Sequence, residues 1–230
     1  MLQVSQLHVS YGQSEVICGV SFAARVKETL AIVGRNGMGK TTLFKALIGI
    51  LPSRSGAITL DDQELSSEPS HKRVRRGLAY VPQGRMIFPR LSVEENIRTG
   101  IPKGDSAAAT FDELYALFPV LFEMRKRRGG NLSGGQQQQL AIARALASNP
   151  SVLLLDEPTE GIQPSIIKDL AQQLNEIKRQ RDIAIVVSEQ VLSFTLAVAD
   201  RVAVIEKGNL IHEANRADID AEQLSRHLSV

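Results

Sequence analysis

The sequence predicts an α/β fold with three parts: a mostly parallel core sheet, a smaller antiparallel β region near the N-terminus and an inserted set of helices. Three observations carry this. Four short apolar or β-branched runs, TLAIVG (29–34), VLLLDE (152–157), IAIVVS (183–188) and RVAVIE (201–206), read as strands buried on both faces, and helical stretches separate them. The early segments LQVSQLHVSY and GAITLDD alternate polar with apolar residues, as antiparallel strands with one wet face do. From about 90 to 130 the texture changes to LSVEENIRTG, a Gly/Asp/Ala loop and TFDELYALFPVLFEMRKRR, which reads as inserted helices.

With 230 residues and 43% hydrophobic content, the chain buries a substantial core as a single domain over 1–230, the helical insertion falling at about 85–150. Twenty-seven Lys and Arg against 25 Asp and Glu leave a net charge of +2, a balance that names no nucleic-acid partner. The one cysteine, Cys18, excludes an intrachain disulfide and a Cys-based zinc cluster, fits a reducing compartment and reads as a small buried hydrophobe. His8, His71, His212 and His227 are scattered without metal-ligand spacing. The N-terminus MLQVSQLHVS lacks a signal-peptide layout, and no apolar run approaches the roughly 20 residues that span a bilayer. The expectation is a cytoplasmic chain that reaches a membrane only through a partner.

GRNGMGKT (34–41) matches G-x-x-x-x-G-K-[ST], directly after a predicted strand and before the helix TTLFKALIGI. Gly34, Gly37 and Gly39 are expected to let the backbone bend so that successive N–H groups face phosphate oxygens. The candidate phosphate-binding stretch is Gly34, Arg35, Asn36, Gly37, Met38, Gly39, Lys40, Thr41 and Thr42. Within it, Lys40 carries a cation to the β and γ phosphates and the Thr41 hydroxyl can ligate Mg²⁺. VLLLDEP supplies the complement, an apolar strand ending in two carboxylates. Strand alternation predicts that Asp156 and Glu157 point in different directions, Asp156 toward Mg²⁺ and Glu157 toward an attacking water whose proton it accepts.

NLSGGQQQQL (131–140) holds a second candidate anion site, without a lysine. Two readings stand side by side. Ser133 to Gln136 form a Ser-x-x-Gln capping box that starts a helix, or the same turn binds phosphate. The glutamine tract is in either case the first turns of a helix from Gln136 to about Ser148, with Leu140, Ala143, Leu146 and Ala147 on one face and NP at 149–150 ending it.

In chain order, Tyr11, the phosphate loop, Gln83 in YVPQGR, LSGGQ and LLLDEP resemble the ATP-binding cassette (ABC) ATPases over nearly the whole chain. The resemblance implies a cassette with a RecA-like core sheet that binds ATP and Mg²⁺ and hydrolyses ATP. It also implies that two subunits pair head to tail, so that Ser133, Gly134, Gly135 and Gln136 of one close over the γ-phosphate held by the Lys40 loop of the other. On this resemblance Tyr11 stacks on adenine. Gln83 approaches Mg²⁺ and the attacking water, completes the metal set of Thr41 and Asp156, and senses a partner protein.

Two departures stand out. Gln190, in SEQ, occupies the place of the family's usual catalytic histidine, upstream of Asp200; an amide can donate to a phosphate but cannot shuttle a proton. PTEGIQPS (158–165) puts Gln163 where the family usually has aspartate, in the loop through which subunits communicate. Together with PQGRMIFPRLSVEENI, these departures resemble the ATPase subunits of importers for branched-chain amino acids and urea-type amides, and PTEGIQPSII resembles the urea-importer ATPase most. That branch implies permease subunits in the inner membrane, a second, different ATPase subunit or a homodimer, an indirect link to a substrate-binding protein, no nucleic acid, and a peripheral place on the membrane's cytoplasmic face. It also implies a permease dock joining Gln83 to the helical insertion through Phe88, Pro89 and Leu91. The basic runs KRVRR (72–76) and RKRR (125–128) read as solvated helix ends. Alternatives from other classes are a non-transport ABC ATPase acting on DNA or ribosomes, and a regulatory ATP-binding module with little turnover.

Overall fold

The computed structural model describes residues 1–228, the side chains of Gln223 and His227 excepted, so the reading of His227 lies outside the described side chains. The chain opens with β1 (Leu2–Tyr11), β2 (Ser14–Ala24), β3 (Thr29–Val33), α1 (Lys40–Leu47), β4 (Ser55–Leu60), β5 (Gln63–Glu64), α2 (Ser70–Arg75) and β6 (Leu78–Val81). Helices follow: α3 (Val93–Arg98), α4 (Ala107–Leu117), α5 (Pro119–Glu123) and α6 (Gly134–Leu146). The remainder alternates as β7 (Val152–Asp156), α7 (Pro164–Gln180), β8 (Ala184–Glu189), α8 (Leu192–Val198), β9 (Arg201–Glu206), β10 (Asn209–Asn215) and α9 (Ala221–Leu228).

Two sheets result. The core sheet runs β10-β9-β3-β8-β7-β6, with every pairing parallel except the β9–β10 hairpin at its edge. Its strands read as unbroken apolar runs because both faces are covered. Leu30 and Ile32 of β3, Val152 and Leu154 of β7, and Ala184 and Val186 of β8 enter one apolar cluster with α1 and the N-terminal sheet. Ala31, Val33, Leu153, Leu155, Ile185 and Val187, the alternate residues, enter a second cluster with α3–α8. The second sheet, β2-β1-β4-β5, is antiparallel, as the alternation in its strands predicts. Its phase breaks at Gln6, which has φ 46, where the register between β1 and both neighbours shifts. Gly56 lies opposite, and a Cβ there would sit 2.2 Å from the Gln6 carbonyl oxygen.

The structure corrects two readings. Cys18 is half-buried rather than a core residue; burial and then Glu15 push its thiol pKa up. KRVRR is not wholly a solvated helix end, because Arg73 is 2% exposed. Its Nη1 donates to the carbonyls of Ala46 and Leu47, both at 2.8 Å, its Nε to Glu68 at 2.7 Å and its Nη2 to Ser66 at 2.8 Å. The guanidinium thus satisfies the last carbonyls of α1, where helix geometry leaves acceptors unpaired and the dipole is negative. RKRR fits better: Lys126, Arg127 and Arg128 are exposed, while Arg125 stacks on the Phe122 ring at 4.3 Å.

Arg73→Met roughly keeps the volume and removes the donors to Leu47, Ser66 and Glu68, while Ala46 keeps the Gly49 amide. It is expected to lower unfolding free energy by about 3 kcal/mol, read as a shift in denaturant midpoint.

Candidate nucleotide site

The parallel strands end at one level. Val33 is paired with Glu189, Ser188 with Asp156, and Val81 with Leu155, so the loops leaving β3, β8, β7 and β6 emerge side by side at one sheet edge, where ligands of open α/β sheets bind.

The loop from β3 carries the first half of the site. Gly37 and Gly39 have φ 81 and 106, the left-handed region that lets the backbone coil. Gly39 is the N-cap of α1 and provides no side-chain cap, which leaves the first amides of the helix turned outward for an anion. Gly34 serves differently from the expectation: it takes no left-handed conformation, and a Cβ there would lie 2.5 Å from the Ile205 carbonyl oxygen. Its small size permits close packing of the loop on β9. Lys40 is buried, and its Nζ donates to the carbonyls of Gly34 at 2.7 Å and Arg35 at 3.0 Å while pairing with Glu157 Oε1 at 3.0 Å. Met38 ties the loop to the β9–β10 turn, its carbonyl accepting from the Gly208 amide at 3.1 Å.

The loop from β7 carries the acids. The expectation that they diverge fails, because the strand stops at Asp156 and Glu157 takes φ 47. That twist turns both carboxylates onto the phosphate loop. Asp156 Oδ1 accepts from Ser188 Oγ at 2.6 Å and Thr41 Oγ1 at 3.3 Å, and Oδ2 accepts from Tyr80 at 3.2 Å. Burial pushes the Asp156 pKa up, against the pull of these hydroxyls, and burial with the adjacent Asp156 pushes the Tyr80 phenol up as well. The Glu157 amide donates to the carbonyl and the hydroxyl of Ser188, each at 3.1 Å.

Between the loops lies a cleft of about 210 Å³ lined by Asn36, Gly37, Gly39, Lys40, Thr41 and Thr42 together with Val16, Gln83 and Glu157. Gln83 reaches it from the end of β6, its Nε2 3.4 Å from Glu157 Oε2. Among the described residues, Tyr11, Gly34, Ser133 to Gln136 and Gln190 do not line it; Arg35 and Met38 line a separate cavity beside β9, and Asp156 lies behind Thr41. Tyr11 is 48% exposed at the tip of the β1–β2 hairpin. Gln190 is half-exposed just past β8. Ser133 and Gln136 form a reciprocal capping box on α6: the Gln136 amide donates to Ser133 Oγ at 3.4 Å, and the Ser133 amide donates to Gln136 Oε1 at 3.0 Å. Ser133 is nonetheless exposed, and Gly135 packs the helix end on α7, where a Cβ would come within 2.4 Å of Ile166.

Sequence reasoning missed Tyr80, Ser188 and Glu189. Tyr80 and Ser188 hold Asp156, yet each sits in a strand run whose only legible signal is hydrophobicity. Glu189 is 1% exposed, a charged residue at the end of IAIVVS, and that oddity was the available signal.

The donor set suits a hard cation: Thr41 and Gln83 line the cleft with oxygen donors, and the Asp156 carboxylate stands behind the Thr41 hydroxyl. Among the described residues no three His, Cys, Asp or Glu side chains gather into a metal site.

Known proteins extend the argument. Residues 17–160 match the family described as ABC transporter. The chain is 37% identical over 220 residues to the high-affinity branched-chain amino acid transport ATP-binding protein BraG of Pseudomonas aeruginosa, covering 94% of each. It is 34% identical over 223 residues to the lipopolysaccharide export system ATP-binding protein LptB of Escherichia coli, covering 95% of this chain and 92% of that one. Of solved structures, cbiO1 from Clostridium perfringens, part of the ABC transporter complex cbiONQ, superposes with a TM-score of 0.86 at 27% identity, covering 97% of this chain and 91% of that one. With the phosphate loop, the acid pair and the sheet topology in place, the chain belongs to the ABC transporter family of ATP-binding cassettes, which bind ATP with Mg²⁺ and hydrolyse it in transport.

Proposed function

We propose that this chain is the motor subunit of an importer for urea or a branched-chain amino acid or related amide, seated on the cytoplasmic face of the inner membrane. The observation that carries the catalytic reading is the convergence of Lys40, Thr41, Glu157 and Gln83 on one cleft, with Asp156 directly behind Thr41. The amides of Gly37 to Thr42 bind the phosphates, with Asn36 in the cleft wall and Arg35 next to it in the loop, and Tyr11 meets the adenine. Thr41, Asp156 and Gln83 would hold Mg²⁺, which would neutralise phosphate charge there. Lys40 exchanges its contacts with Glu157 and the loop carbonyls for phosphate oxygens, freeing Glu157 to accept the proton of the attacking water. Gln190 reaches the site as a neutral donor.

Among the described residues the cleft holds one lysine, whereas the exposed Ser133 at the start of α6 lies outside it. A second cassette, a copy of this chain or a different ATPase subunit, brings that end over the γ-phosphate. ATP then binds the closed pair more tightly than the open one and drives closure.

A groove of about 390 Å³ between β6 and α6 supports the permease dock. Met86 and Phe88 at its wall are 69% and 48% exposed. Arg144 stacks on Phe88 at 5.1 Å and donates to the Met86 carbonyl at 2.8 Å, while Asn96 Oδ1 accepts from the Phe88 amide at 2.8 Å. A permease element seated there with Pro89 and Leu91 moves the segment that carries Gln83, and so senses the state of Glu157. The cargo rests on the PTEGIQPSII resemblance and on the likeness to BraG; the comparable likeness to LptB, named for export, makes transport direction a matter for measurement.

Glu157→Gln is expected to keep ATP affinity, to slow turnover at least about 100-fold and to accumulate as an ATP-bound dimer in light scattering. Lys40→Ala is expected to weaken ATP binding in calorimetry. Twofold effects on turnover from both would contradict the mechanism. In proteoliposomes with its permease and binding protein, the chain is expected to drive inward movement of urea or leucine. Outward movement, or purification with ribosomes or DNA and never with a permease, would contradict the importer reading.

A further inference from the structure

We infer that Glu189 is a positioning residue for hydrolysis, a buried latch that holds the turn carrying Glu157. The inference rests on Glu157 being the base. Glu189 Oε1 accepts from the Thr159 amide at 3.2 Å and the Thr159 hydroxyl at 2.5 Å, and Oε2 accepts from the amides of Gln190 at 2.8 Å and Val191 at 3.0 Å. Its main-chain carbonyl accepts from the Gly34 amide at 3.3 Å, the first amide of the phosphate loop. One residue therefore joins the loops after β3, β7 and β8.

The mechanical consequence follows from where Thr159 lies. Glu157 has left-handed φ, and Ser188 anchors its amide at one end of the turn. Thr159, buried two residues further, is the other anchor, and the Glu160 amide closes the turn on the Glu157 carbonyl at 3.2 Å. A turn pinned at both ends aims the Glu157 carboxylate; pinned at one end, it lets that carboxylate swing. Burial pushes the Glu189 pKa up, against the pull of the hydrogen bonds from Thr159, Gln190 and Val191. ATP affinity is set elsewhere, because the link to the phosphate loop runs through the Glu189 main chain and survives any side-chain change.

Glu189→Gln separates the two roles. Three of the four donors are backbone amides, so the variant amide keeps its oxygen toward Gln190 and Val191 and turns its NH₂ toward Thr159. There the hydroxyl can rotate to accept, but the Thr159 amide faces another donor, and the anchor is lost. Thr159→Val removes the hydroxyl at constant shape, and Thr159→Ser restores it.

The test is steady-state ATP turnover and nucleotide binding by the full chain, with Glu157→Gln as reference. The expected result is a fall in kcat of about tenfold or more for Glu189→Gln and for Thr159→Val, with ATP affinity within about twofold of the parent. Thr159→Ser should recover turnover, and Glu189→Gln combined with Thr159→Val should be no slower than the worse single variant, as for two ends of one contact. If Thr159→Val folds, binds ATP and turns over at the parent rate, the latch is wrong. Equal loss of affinity and kcat in both variants also overturns it, since that marks general loosening. Full turnover by Glu157→Gln would instead remove the base on which the inference rests. Should Glu189→Gln fail to fold, Thr159→Val and Thr159→Ser decide alone.

Discussion

The parallel pairing of β8 with β3 on one side and β7 on the other is the constraint on which the site depends. It sets Glu189 beside Val33 and Ser188 beside Asp156, so the end of β8 reaches the start of the phosphate loop and the acid pair together. A one-residue slip would turn Ser188 and Glu189 to opposite faces of the sheet and strip Asp156, Glu157 and Thr159 of their partners. Side-chain size resists such a slip, because Ile185 and Val187 pack in one apolar cluster and the smaller Ala184 with Val186 in the other. Packing thus fixes register, and register fixes the chemistry.

Buried polar groups are concentrated where that apolar framework ends. Lys40, Asp156, Glu157, Ser188 and Glu189 are all buried, within or beside a floor of Leu, Ile and Val. Burying charge is costly unless every group is paired, and here the pairing comes from neighbouring loops rather than from solvent. Arg73 obeys the same rule at the far end of α1, but its acceptors are all main-chain carbonyls, so it braces a helix and performs no chemistry.

The four runs TLAIVG, VLLLDE, IAIVVS and RVAVIE were legible because a strand covered on both faces has no choice but to be apolar, and they correspond to β3, β7, β8 and β9. β6 escaped notice: LAYV is short, and Tyr80 interrupts its apolar pattern in order to reach Asp156. β10 escaped because its edge position leaves NLIHEAN largely exposed and polar. The phosphate loop was legible as a motif, yet the reason for Gly34 was not, since its close neighbour Ile205 lies far away in the sequence. The orientation of Glu157 was misread for a related reason: strand alternation ends where the strand does, and no local pattern announces a left-handed residue there. Glu189 and Arg73 were hidden because their partners are assembled only by the tertiary fold.

ABC cassettes work with membrane permeases and form dimers, and the surface position of Ser133, outside the Lys40 cleft, gives that pairing a physical motive. In the proposed pairing one chain supplies the phosphate loop, the acids and the latch, and the exposed Ser133 at the start of α6 is offered to the cleft of its neighbour. The most direct measurement is ATP turnover per chain as the purified protein is diluted, with the fraction of assembled chain followed by sedimentation. The account predicts that turnover per chain falls with the paired fraction and vanishes for the isolated chain. Constant turnover per chain, down to concentrations at which every molecule is monomeric, would contradict it.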